Sequence, residues 1–251
     1  MLFPSPLRSA SLLLASVLMV GGLDQAQTTH FVALNAASFS PASLTIDVGD
    51  TVQWDWVGGF HNVESGVGGV PDGIFTSGAP TTAATTFSVT FDQAFLDANP
   101  TSGKRYAYYC IVHVGLGMSG DIVVNIPASG TSRNAGANPA SLVLVNPPQI
   151  GGNFVASQDL TTTGHSLAAI VAYASPLNFP LGGGQVILVN VLDPNGELFG
   201  QALQSGPVAT WNLAVPSDPA LCGFRISAQG IHIGGVQPFA LSNALDLVVG
   251  N

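Results

Sequence analysis

Residues 106–118 read Tyr-Ala-Tyr-Tyr-Cys-Ile-Val-His-Val-Gly-Leu-Gly-Met. The first five residues have the length and composition of a β-strand, with Tyr106, Tyr108 and Cys110 on its core-facing side and Tyr109 pointing outward. The remainder holds Cys, His and Met at the spacing C-x2-H-x4-M. For a chain with so few residues of these types, that spacing would arise by chance with a probability of about 0.0005. The stretch therefore predicts a functional loop at the end of a strand.

The residue types in this loop point to a metal site. A thiolate, a neutral imidazole and a thioether are soft ligands, and three of them on one short loop can face one point. Upstream, His61 follows a predicted strand and can supply the remaining ligand, whereas His30 is the less favoured alternative. Two His and one Cys with a distant Met form the blue-copper ligand set. We predict that His61, Cys110, His113 and Met118 bind one copper ion, the alternative for Met118 being a core side chain.

Composition excludes several classes of protein. The 251 residues contain 14 Asp and Glu against 5 Lys and Arg, a formal net charge of −9, and only 8% are charged. Disordered chains have few apolar residues, yet here 47% are hydrophobic. A nucleic-acid partner is not expected, because so few basic side chains cannot neutralise phosphates. The abundance of Val, Thr, Ser, Gly and Pro predicts an all-β protein.

The chain divides into a targeting segment and two β regions. Within residues 1–27, Arg8 precedes an apolar run that is shorter than the roughly 18 residues of a membrane span. This pattern is typical of a secretory signal peptide, so we expect a secreted or periplasmic protein with no membrane span after cleavage. Residues 28–126 are predicted as one domain, 127–140 as a linker poor in large apolar residues, and 141–251 as a second domain, which we expect to be another β-sandwich.

Short β-branched runs predict individual strands in the first region, at Ser43–Val48, Thr51–Val57, Thr85–Phe91, Tyr106–Cys110 and Gly120–Ile126. The segment 92–99 is either one short helix or a loop. Cys222 is predicted to be a buried free thiol rather than a disulfide partner, because Cys110 has a better use as a ligand.

Residues 30–126 resemble the plastocyanin type of cupredoxin. The resemblance rests on Gly49-Asp-Thr-Val-Gln-Trp54, on His61-Asn-Val63 and on the Cys–His–Met loop. It implies an eight-stranded Greek-key sandwich with copper at one end, and one-electron transfer. It also implies that Asn62 braces the Cys loop and that Tyr109 is an exposed alternative route for electrons. Two features depart from the family: Phe60 and Val112 stand where proline is usual, and Gly66–Pro80 is a Gly-rich insertion.

The leading functional hypothesis is an exported carrier of single electrons, not an enzyme. Oxidases with several coppers need H-x-H pairs, and a serine hydrolase needs a G-x-S-x-G element. This sequence contains neither motif. We expect His113 to lie nearer solvent than His61 and a redox partner with a basic face to dock there, around Leu116. The alternatives are a copper-binding or storage protein, and a surface-attachment protein whose C-terminal β domain is the binding module.

Overall fold

The computed structural model describes residues 27–136 and 138–251. The predicted signal peptide therefore lies, up to residue 26, outside the described residues. The first half contains nine strands. They are β1 (Thr29–Asn35), β2 (Ser38–Ser40), β3 (Ser43–Asp47), β4 (Thr51–Trp56), β5 (Glu64–Val67), β6 (Val70–Thr76), β7 (Thr86–Thr90), β8 (Arg105–Tyr109) and β9 (Ser119–Asn125).

These strands form two sheets packed face to face. One has the order β2-β1-β4-β7 and the other the order β3-β9-β8-β5-β6. Alternate residues of each strand point inward, so that Trp54, Tyr106 and Tyr108 are almost fully buried between the sheets. The β-sandwich predicted for this half is confirmed, although it has nine strands where the resemblance implies eight, and β6 lies within the Gly-rich insertion.

All five strands predicted for the first half are present, each displaced by no more than one residue at either end. The segment 92–99 forms a helix, α1 (Gln93–Ala98), because the Asp92 carboxylate accepts a hydrogen bond from the Phe95 amide at 2.8 Å. Beyond α1 the chain turns back into β8, where the Tyr106 hydroxyl donates to the Asn99 carbonyl at 2.8 Å. This bond fixes the start of the strand that leads to Cys110.

The second half contains ten strands among the described residues. They are β10 (Ser129–Arg133), β11 (Leu142–Asn146), β12 (Asn153–Asp159), β13 (Leu167–Tyr173), β14 (Pro176–Pro180), β15 (Val186–Val189), β16 (Phe199–Ser205), β17 (Val208–Ala214), β18 (Arg225–Ile233) and β19 (Phe239–Val248). A sheet of order β10-β19-β18-β13-β16 packs on a sheet of order β11-β12-β17, with β14 and β15 forming a separate pair. Phe154, Ile170 and Trp211 belong to the core of this second sandwich, which confirms the predicted fold class.

The predicted linker is wrong in one respect, because residues 129–133 form strand β10. This strand pairs with β19 along its whole length. Its sequence, Ser-Gly-Thr-Ser-Arg, has no large apolar residue and carries no strand pattern of its own. Arg133 holds it in place through hydrogen bonds to Asp246 and to the Leu188 carbonyl. Pairing with a distant strand, rather than local propensity, therefore determines its structure.

The core of the first half includes residues from the second. Cys222 is buried against it, and Ile150 and Val248 pack on its edge. Both Cys110 and Cys222 are free, as predicted. Among the described residues, no helix has the length and apolar character needed to cross a membrane.

Candidate metal centre

His61 is positioned by the segment that follows β4. Its backbone exchanges two hydrogen bonds with Thr81, at 3.1 Å and 2.9 Å. The Trp56 indole N–H also donates to the His61 carbonyl at 3.1 Å. Gly59 lies against the imidazole: its φ is +91°, and a Cβ built there would be 2.4 Å from Nε2 of His61. Thr81 and Trp56 thus hold the His61 backbone, and Gly59 packs against its ring. The side chain is fully buried.

Cys110 and His113 lie on a compact loop that continues from β8. The loop is closed by backbone hydrogen bonds from Cys110 N to Met118 O at 3.1 Å, from His113 N to Cys110 O at 3.2 Å, and from Met118 N to His113 O at 3.2 Å. A short 3-10 turn, Val114–Leu116, fills the middle of the loop. These bonds fix the separation between the strand end and Met118 before any ligand binds.

Three predicted ligand side chains converge. Cys110 Sγ lies 3.8 Å from His61 Nδ1 and 3.5 Å from His113 Nδ1, and the two Nδ1 atoms are 3.1 Å apart. Cys110 and His61 are fully buried, whereas His113 is half-buried, so the expectation that His113 lies nearer solvent is confirmed. The three donor atoms lie within 4.8 Å of one another, and no other such group of three occurs among the described residues.

Met118 is fully buried in the same core. Its backbone bonds to both Cys110 and His113, which places it beside the group. His30, the alternative upstream His, is elsewhere: its Nε2 lies 2.8 Å from an Asp50 carboxylate oxygen. Asp50 also accepts from the Thr28 and Asp47 amides, which explains its place in the Gly-Asp-x-Val motif.

The converging donors fit a copper ion. Two donors bound to one first-row ion at about 2.0–2.3 Å are separated by roughly 3–4 Å, and the three observed separations lie between 3.1 and 3.8 Å. A thiol with two imidazole nitrogens is a soft donor set that suits copper. Burial lowers the pKa of His61, as does the charge of His113, while the Gly58 carbonyl opposes the shift. His61 is thereby kept neutral, the form that binds metal.

Asn62 braces the Cys loop, as the resemblance implies. Its side-chain oxygen accepts a hydrogen bond from the Ile111 amide at 2.8 Å, and its amide nitrogen donates to the Gly78 carbonyl at 3.3 Å. Sequence reasoning missed Trp56 and Thr81, which hold His61. The only signal for Trp56 was general, since a buried indole N–H usually requires a partner.

The prediction that Tyr109 points outward to solvent is wrong. Only 2% of the residue is exposed. Strand β5 pairs with β8 at this position, Glu64 opposite Tyr109. Burial raises the pKa of Tyr109, as do the charges of Glu64 and Asp72, which lie on β5 and β6. Charged side chains of these two neighbouring strands thus lie near the Tyr109 ring, and alternation along β8 alone does not reveal its burial.

The end of the sandwich around His113 has an apolar surface. Leu116 is 72% exposed, and Phe60, Ile111 and Val112 are exposed around the loop. A Cβ built on Gly69, at the tip of the β5–β6 hairpin, would lie 3.7 Å from Val114, so that the exposed Val67 and Val70 continue this surface. We call these residues the His113 face: Phe60, Val67, Val70, Ile111, Val112, Val114 and Leu116.

Comparison with known proteins agrees with this geometry. Residues 26–125 match the family of copper binding proteins described as plastocyanin/azurin. A halocyanin from Natronomonas pharaonis is 32% identical over 105 residues, which are 41% of this chain and 58% of the halocyanin. A plastocyanin from a Synechococcus species is 33% identical over 121 residues, with 43% of this chain and 87% of the plastocyanin covered.

Two solved structures give similar alignments. A purple cupredoxin from Nitrosopumilus maritimus is 26% identical with a TM-score of 0.30, and 38% of this chain aligns with 97% of that one. A pseudoazurin from Methylobacterium extorquens AM1 is 28% identical with a TM-score of 0.28, and 38% of this chain aligns with 74% of that one. The aligned part in each case is well under half of this chain.

Proposed function

The chain belongs, through residues 26–125, to the plastocyanin/azurin family of copper-binding proteins, and we propose that it is an exported type 1 copper protein that carries single electrons between redox partners. The observation that carries the proposal is the convergence of Cys110 Sγ with Nδ1 of His61 and Nδ1 of His113 in a buried position. Met118, adjacent through its backbone, is the proposed fourth ligand.

Copper bound by this set would accept and release one electron, as Cu(II) and Cu(I). The protein's contribution is to hold the donor atoms in place. Asn62 fixes the Cys loop, and Trp56 and Thr81 fix the backbone of His61. Full burial of Cys110 and His61 excludes water from that side of the site. Donors that move little between the two oxidation states keep the reorganisation on electron transfer small.

Electrons are proposed to leave through His113, the only half-exposed member of the three converging donors. The His113 face is apolar, and no residue from Ile111 to Gly120 is charged. The chain as a whole carries a formal net charge of −9. We therefore propose a redox protein partner with an apolar docking centre and a basic rim. Location outside the cytoplasm rests on the signal-peptide pattern of residues 1–27.

The test is a titration of the purified full chain with Cu(II). We expect uptake of one copper per chain and an intense blue colour, because a Cys thiolate bound to Cu(II) in a His₂Cys site gives strong visible absorption. Cys110→Ser should abolish the colour. Cys222→Ser is the matched control, since Cys222 is also a buried free thiol but lies outside the proposed site.

A colourless wild-type protein after copper loading would contradict the proposal, as would a stoichiometry well above one. Electrochemistry of the blue form then tests the carrier function itself. A reversible one-electron wave that disappears in Cys110→Ser is expected, whereas bound copper without such a wave would favour the copper-storage alternative.

A further inference from the structure

We propose that the C-terminal half binds an alkyl chain in an apolar cavity between its two sheets. The cavity has a volume of about 380 Å³. Its walls come from both layers of the second sandwich: Phe154 and Leu213 on β12 and β17, and Phe199, Ile226 and Leu247 on β16, β18 and β19. Pockets of this size fall within the range typical of small-molecule sites.

The lining defines the chemistry of the occupant. Every residue that lines the cavity is Pro, Ala, Val, Leu, Ile or Phe, so no side chain there offers a hydrogen bond or a charge. Water inside would lose hydrogen bonds without replacement, and engineered apolar cavities of about 150 Å³ stay dry and bind benzene. Scaled from such an enclosed cavity, this open one would hold at most about fifteen carbon atoms. A hydrocarbon group is therefore the favoured occupant.

The distribution of exposure shows where the occupant enters. Phe154, Leu247 and Val249 are at most 3% exposed and form the floor. Leu198 and Phe224 are 36% and 38% exposed and stand at the mouth. A ligand that fits this arrangement places its hydrocarbon part against the buried floor and keeps its polar end in water at the mouth. The fitting class is thus a single-chain amphiphile with an uncharged or weakly charged head.

This site is separate from the metal centre. None of the residues around the cavity is a proposed copper ligand or belongs to the His113 face. Ligand binding would give the C-terminal half a binding role that does not depend on the copper chemistry. The two proposals therefore fail independently, and the blue colour should be unchanged by the variants below.

The experiment titrates the full chain with n-alkanols of six to twelve carbons, followed by nuclear magnetic resonance. Alkanols are neutral, so the negative charge of the protein does not affect the comparison. We expect the affinity to rise about fourfold with each methylene group. An affinity independent of chain length, or no binding at the solubility limit of each alkanol, would overturn the proposal.

Variants locate the binding. Leu198→Glu places a carboxylate at the mouth and should weaken alkanol binding by at least about tenfold, since burying it costs free energy. Leu203→Glu is the matched control, because Leu203 is an exposed leucine on β16 outside the cavity lining. Leu213→Trp enlarges a lining side chain on the inward face of β17 and serves as a second variant should Leu198→Glu fail to fold. Equal affinity in variants and control would place the binding elsewhere.

A second experiment identifies the source of the bound alkyl chain. The protein is mixed with phosphatidylcholine vesicles and sedimented. Sedimentation that Leu198→Glu abolishes would show that the cavity takes up one acyl chain of a membrane lipid, and alkanol binding without sedimentation would show that its occupant is a free single-chain amphiphile. Absence of both refutes the site.

Discussion

At the scale of single residues, the metal centre depends on a glycine that offers no ligand atom. Gly59 has a φ of +91°, and its missing Cβ leaves the space that the His61 imidazole occupies. We expect Gly59→Ala to displace the ring and to weaken copper affinity by about 10–100-fold, the usual effect of changing a residue that positions a metal ligand. Competition against a copper chelator measures the change.

Gly58→Ala provides the matched control for this substitution. Its Cβ would meet no atom within 4 Å, and its backbone does not adopt a positive φ. Copper affinity should therefore stay within about twofold of the wild type. If the two variants bind copper equally well, Gly59 does not position His61.

At the scale of structural elements, the β5–β6 hairpin lies beside β8 in the same sheet and contributes Val67 and Val70 to the His113 face. Because Tyr109 is buried, we expect the His113 face to be the only route in use. Leu116→Gln removes an exposed apolar contact without adding charge, and it should slow oxidation by a basic c-type cytochrome at least about fivefold. Stopped-flow absorbance of the blue colour follows the reaction.

Two comparisons test this route. Val145→Gln changes an exposed valine on β11 of the other half and should leave the rate unchanged. Tyr109→Phe should also have no effect, since the ring is covered. Slower transfer in Tyr109→Phe with a normal rate in Leu116→Gln would place the route on the side of β8.

At the scale of the whole molecule, acid should affect the two halves differently. His232 is fully buried in the second half, where burial above all, and then the charge of His165, lower its pKa to about 4, while Asp159 opposes the shift. The unfolded chain binds this proton near pH 6.5, so stability is complete above that pH and falls as the pH drops toward 4. The loss is on the order of 3 kcal/mol.

Amide hydrogen exchange in β12 and β18 measures this loss between pH 7 and pH 4. His232→Gln should remove most of the pH dependence there, although it also disturbs the hydrogen bonds to Ser141 and Thr163, at 2.8 Å each. His30→Gln is the control, because His30 belongs to the first half. An unchanged slope in His232→Gln would show that another group causes the acid response.

Local patterns in the sequence were sufficient for much of this fold and site. Cys110, His113 and Met118 belong to one loop, so their spacing alone predicted that they face one metal ion. Strand-like runs of residues predicted the strands of the first half. The hydrogen bond between Asn62 and the Cys loop was expected only from the resemblance to cupredoxins. Tyr109 shows the limit of such reasoning, because alternation assigns a side chain to a face but does not reveal what covers that face.

Long-range pairing explains the other differences. Strand β10 depends on β19, which lies more than a hundred residues later, so its own polar sequence held no strand signal. The contacts of Trp56 and Thr81 with His61 arise from a chain reversal that the sequence does not mark. Residues that bind were thus easier to predict than residues that hold them in place.

The burial of Cys222 in the first core has a consequence for the order of events during synthesis. Cys222 follows Ile126 by about 100 residues, which a ribosome adds in roughly 5–20 s. A first sandwich that folds before residue 222 has been made would leave one edge of its core uncovered, although every proposed copper ligand precedes Ile126 in the chain. A nascent chain stalled between Ile126 and Cys222 would expose an apolar surface that the finished protein buries. Molecular chaperones that recognise exposed apolar residues would bind the chain there.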